Sequence, residues 1–130
     1  MRALLVNVLV ALLDRLASEI GGGWASCPIT ENGFVRVISQ PRYPNPIPPA
    51  EAISLPRREA RQPHHQFWAC DLSVLDAAVV DQSRLHGPRQ VTDAYLLALA
   101  TKHEGRFVTF DQSISLAVVK GARADNLVVV

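Results

Sequence analysis

Two carboxylates stand in apolar company. Asp93 lies in Gln90-Val-Thr-Asp-Ala-Tyr-Leu-Leu-Ala-Leu-Ala100, and Asp111 closes Arg106-Phe-Val-Thr-Phe-Asp111. A carboxylate among apolar neighbours costs on the order of several kcal/mol unless something pairs with it. No Arg or Lys adjoins Asp93 in the chain. Two such acids at the ends of elements point to a shared cation, and a hard divalent ion suits oxygen ligands.

The elements that must position them follow from pattern and punctuation. Residues 3–6 predict a short buried strand. Asn7 then caps a helix from Val8 toward Ile20, which Gly21–Gly23 stops. Trp24 to Cys27 predicts a second strand and Pro28 to Ser39 a helix. Residues 41–49 form a proline-rich loop, with Pro49 in the first turn of a helix running to Arg61. Phe67-Trp68 marks a strand. Ser73-Val-Leu-Asp76 has capping-box spacing and predicts the start of a helix. A helix over 92–103 ends near Gly105, Arg106 to Phe110 is a strand, and Asn126 to Val130 is a last one. Strands alternating with helices predict an α/β fold, with a mostly parallel central sheet under helices. Ligands in such sheets sit beyond the carboxyl ends of the strands, where Asp111 falls.

Composition narrows the class. The 130 residues fit one domain spanning 1–130; at 48% hydrophobic and 19% charged the chain reads as globular. A net charge of +1 gives no broad field for nucleic acid or membrane, so any RNA contact must come from local clusters. The apolar stretch from Ala3 to Leu13 is too short to span a bilayer. Cys27 and Cys70 lack metal-ligand spacing and read as two buried thiols in a reducing, cytoplasmic protein. Neither HExxH, GxSxG nor a P-loop is present.

The residues also carry a resemblance. Val91-Thr-Asp-Ala-Tyr-Leu-Leu-Ala-Leu-Ala100 and Phe107-Val-Thr-Phe-Asp111 resemble the third and fourth acidic motifs of PIN-domain ribonuclease toxins of the VapC type. Ile29-Thr-Glu-Asn-Gly-Phe-Val-Arg-Val37 with Pro41-Arg-Tyr-Pro44 resembles the second, and Leu4 to Leu13 the first. The resemblance implies a PIN-like three-layer fold and an endoribonuclease using Mg²⁺ or Mn²⁺. It implies the toxin half of a toxin–antitoxin pair, a homodimer, a cognate antitoxin and a structured RNA substrate such as transfer RNA. Asp93, Asp111 and Glu31 are the implied metal-holding and catalytic acids, with Asn7, Thr30 and Thr109 in support. Arg36, Arg42 and Arg89 are candidates for RNA phosphates.

Bland readings stand beside these. Asp93 also suits first-turn helix stabilisation. Asp111 also suits a strand-end turn, and Glu31 an exposed helix position. Asn7 also fits a simple cap, Thr30 and Thr109 plain structural sites, and the arginines surface ion pairs. Asp76 and Asp81 read as capping and turn residues, and Trp24 and Trp68 as core. The chain departs from the family pattern at its start: Leu5-Val-Asn-Val8 lacks the aspartate of Leu-Asp-Val-Asn-Val, and a dozen or more residues are missing between Asp14 and Trp24. That departure motivates the alternative of a catalytically impaired PIN-like module that binds RNA or antitoxin without cutting.

Overall fold

In the computed structural model, residues 3–5 and 23–129 are described. Five short strands share one sheet: β1 (Ala3–Leu5), β2 (Trp24–Ser26), β3 (His65–Phe67), β4 (Arg106–Thr109) and β5 (Leu127–Val129). Their spatial order is β3-β2-β1-β4-β5, and every pairing is parallel. Leu4 lies beside Ala25 on one side and Phe107 on the other. Parallel strands buried on both faces are built from continuous apolar runs, as in Phe107-Val108. The chain builds outward from β1 in both directions, so the crevice at the carboxyl ends of β1 and β4 is the topological switch point.

Among the described residues three helices accompany the sheet: α1 (Pro28–Ile38), α2 (Pro49–Glu59) and α3 (Arg89–Lys102). Pro28 and Pro49 each occupy a first helical turn, where the missing N–H has no helical partner to lose. The Cys27 carbonyl accepts from the Thr30 hydroxyl, whose oxygen accepts in turn from the Cys27 N–H, both at 3.0 Å. Helix α3 is buried at every residue from Ala94 to Ala100. It packs with Ala25, Cys27, Trp68, Phe107, Val118 and Val119 into one core. Among the described residues no helix is long and apolar enough to cross a membrane.

The structure departs from the expected elements in several places. Ser73–Asp76 opens no helix. The Ser73 hydroxyl oxygen accepts from the Leu75 N–H and an Asp76 carboxylate oxygen from the Ala78 N–H, so these side chains form local turns instead. Val74 packs against the core from this turn, while Leu75 stands 91% exposed. Helix α3 begins at Arg89 rather than 92, which moves Asp93 out of the first turn. Cys27 is buried as expected, but Cys70 is exposed. Asp81 caps a short 3-10 turn, and Trp24 and Trp68 are core residues. The expected helix from Val8 to Ile20 and Asn7 lie outside the described residues.

Gly23 holds φ +78°, and a Cβ there would meet the His64 carbonyl oxygen at 2.3 Å. The neighbouring Trp24 N–H donates to that same oxygen at 2.9 Å, fixing the entry to β2. Gly23→Ala is therefore expected to lower stability by about 1–3 kcal/mol, read as a reduced denaturant midpoint at unchanged slope.

Candidate active site

Asp111 sits just past β4 in a turn made by its own neighbours. Its N–H donates to the Thr109 hydroxyl oxygen at 3.0 Å, and its carboxylate accepts from the Ser113 N–H at 2.8 Å. Thr109 thus supports Asp111 by shaping the backbone of this turn. The Ser113 N–H, then the Ser113 hydroxyl and the Arg89 charge, hold the Asp111 carboxyl below the usual carboxylate range.

Asp93 projects from the second turn of α3, just before the buried run, and is partly buried. Burial, and after it the charge of Asp111, pushes its carboxyl above the usual range. The two acids therefore share one neighbourhood. Their elements are tied together by Gln90, whose amide donates to the Ser113 carbonyl at 3.2 Å while its oxygen accepts from the His86 N–H at 2.8 Å. Ser113 is consequently held by Asp111 on one side and by α3 on the other.

Glu31 is placed differently from the expected three-acid set. Among the described residues no three His, Cys, Asp or Glu side chains converge on a metal-sized site. The Glu31 carboxylate accepts from the Ser26 hydroxyl at 2.5 Å, and the Ser26 oxygen lies 2.8 Å from His65 Nε2. With the Ser26 proton directed to Glu31, the remaining role for the hydroxyl is to accept from the imidazole N–H. His65 also packs against Trp24, with ring centroids 4.3 Å apart. Glu31 lies in a groove of about 460 Å³ between α1 and α2, with Val35, Ile53 and Arg57. Thr30 is buried, and its hydroxyl is bonded to the Cys27 backbone at the start of α1.

A second groove, of about 790 Å³, leads to Asp93. Ile29, Asn32, Gly33, Arg36, Val37 and Gln40 line it from the α1 side, and Thr92 and Asp93 from α3. Arg36 thus stands in the groove beside Asp93, and the charge of Arg89 reaches Asp111. Arg42 is exposed in the turn after α1 and lines neither groove. Sequence reasoning missed Gln90, Ser26 and His65. Gln90 lay inside a quoted motif, but its partners are 4 and 23 residues away. His65 belongs to none of the sequence motifs, yet it opens the edge strand β3.

Comparison with known proteins decides the family. Ribonuclease VapC44 of Mycobacterium tuberculosis is 60% identical over 98% of this chain and 98% of its own. Ribonuclease VapC39 of the same organism is 36% identical over 88% and 92%. The chain belongs to the VapC ribonuclease family. Ribonuclease VapC38, also of M. tuberculosis, is 43% identical over 71% of this chain and 64% of its own. No family model matches. VapC membership agrees with the α/β, PIN-like architecture of parallel strands and helices described above. The alignment with VapC44 spans 139 positions against 130 residues here, so at least nine positions have no counterpart in this chain. The VapC38 alignment spans 93 positions for 71% of the chain, about 92 residues, and is nearly free of such gaps.

The raised Asp93 pKa has a consequence for stability. A carboxylate whose folded pKa lies above its unfolded value of 3.8 destabilises the fold at every pH above the folded value. That penalty shrinks as pH falls through the folded pKa and is gone below the unfolded one. Metal-free Asp93→Asn is expected to melt about 2–4 °C above the parent near neutral pH. The gap should close on acidification, as followed by scanning calorimetry from about pH 7 to pH 3.

Proposed function

We propose that this chain is a divalent-metal-dependent endoribonuclease of the VapC type, the toxin half of a toxin–antitoxin pair, acting in the cytoplasm. One observation carries the reading: Asp93 and Asp111 share a neighbourhood at the switch point of a parallel sheet, close enough for the Asp111 charge to act on the Asp93 carboxyl. Two hard oxygen donors suit Mg²⁺ or Mn²⁺, since Mg²⁺ is commonly held by one or two carboxylates with water and substrate phosphate completing the shell. When bound, the ion supplies an acidified water and stabilises charge developing on the phosphodiester.

The protein's own groups do the rest. Asp93 and Asp111 hold and orient the ion through their carboxylates. Arg89 favours the ionised form of Asp111, which keeps that ligand ready at neutral pH. Arg36 is positioned to take an RNA phosphate in the groove beside Asp93. Glu31, hydrogen-bonded to Ser26, contributes from the neighbouring groove by orienting water or substrate. Family membership supports an antitoxin partner and an RNA substrate. A homodimer and transfer RNA as the target follow the same resemblance.

A second reading has its own support. The sequence lacks the family's first-strand aspartate, and among the described residues no three acids cluster. Those features favour a module that binds RNA or antitoxin without cutting. Purified, antitoxin-free protein incubated with an RNA pool separates the two. Cleavage with Mg²⁺ or Mn²⁺ is expected, abolished by EDTA and reduced at least about 100-fold in Asp93→Asn or Asp111→Asn. RNA binding with no cleavage under either metal would establish the binding module instead.

A further inference from the structure

Gly33 occupies the interior of α1, where the chain's own needs do not call for glycine. A mid-helix glycine is destabilising relative to alanine, because it orders the most flexible backbone. It is usually retained where φ is positive or where another group presses on the backbone. Gly33 has neither reason among the described residues: its φ is not in the left-handed range, and a Cβ built there meets nothing within 4 Å. Yet Gly33 faces the groove that ends at Asp93.

Its neighbours on that face suit one kind of occupant. Asn32 and Arg36 lie four residues apart on α1 and so share a face, and Gln40, just past the helix end, lines the same groove. Two amides and a guanidinium offer donors to phosphate and sugar oxygens and acceptors to ribose hydroxyls. Among the described residues no hydrogen bond or ion pair engages the Arg36 side chain. Thr92 and Asp93 close the groove on the α3 side.

We propose that Gly33 is a clearance residue: its missing side chain lets the sugar–phosphate backbone of a single RNA strand lie against α1, with Asn32, Arg36 and Gln40 directing it to Asp93. The inference rests on the ribonuclease reading. It makes Gly33 a positioning residue whose helix cost is retained for the substrate.

The test pairs stability with activity in Gly33→Ala and Gly33→Leu, using the intact chain and single-stranded RNA oligonucleotides. Gly33→Ala should melt about 2–5 °C above the parent, as alanine favours the helix. The same variant should lose about tenfold in kcat/KM, and Gly33→Leu about 100-fold, with both weakening RNA binding in an Asp93→Asn background. Unchanged cleavage and RNA binding in both variants would overturn the proposal, as would a fall in melting temperature for Gly33→Ala, which would mean the glycine serves packing. The parent enzyme is the control for the underlying reading: a parent that neither cuts nor binds RNA overturns the ribonuclease assignment, and the groove assignment falls with it.

Discussion

A helix with seven consecutive buried residues has no face left on which to turn. Helix α3 is in that position from Ala94 to Ala100, closed in by the sheet and by the segment around Val118 and Val119. Rotation or sliding would expose apolar surface at roughly 25 cal/mol per Å². The helix is therefore fixed in register, and so is the polar end that emerges from the core at Thr92 and Asp93. The sheet applies the same constraint to Asp111: Phe107 and Val108 are fully buried, and the chain can leave β4 only where the turn after Thr109 begins.

Once both elements are fixed, electrostatics distinguishes the two acids. Asp111 is stabilised by donors within its own turn and by Arg89. Asp93 lacks such support and meets desolvation together with the charge of Asp111. The pair thus has one readily ionised member and one reluctant member, a state that the proposed cation would relieve. Gln90 joins the two supporting elements through Ser113. On the other side of α1, the link from His65 through Ser26 to Glu31 fixes a third carboxylate from the edge strand β3. Short local hydrogen bonds orient side chains that the core has already placed.

Much of this was legible in the sequence where burial and local rules act together. The apolar run after Asp93, the strand ending near Asp111 and the prolines at helix starts each impose a local pattern, and the parallel sheet follows from their alternation. The resemblance to VapC ribonucleases rested on those same runs. Failures came where local signals compete or partners are distant. Ser73 and Asp76 have the residue types of a helix start, but their side chains satisfy nearby backbone N–H groups in turns. Thr30 read as either a supporting or a plain structural residue, and only three-dimensional geometry shows its hydroxyl bonded to the Cys27 backbone. His65 and Ser26 lie 39 residues apart, and only the pairing of β2 with β3 brings them together.

Asp93 and Asp111 are proposed to hold one divalent cation between them. Electron paramagnetic resonance of Mn²⁺ titrated into metal-free protein tests it without reliance on a substrate. The account predicts a saturable Mn²⁺ site in the parent that is lost, or weakened at least about tenfold, in Asp93→Asn and in Asp111→Asn separately. Mn²⁺ bound equally well by either variant would contradict it, because each carboxylate would then be dispensable to the site.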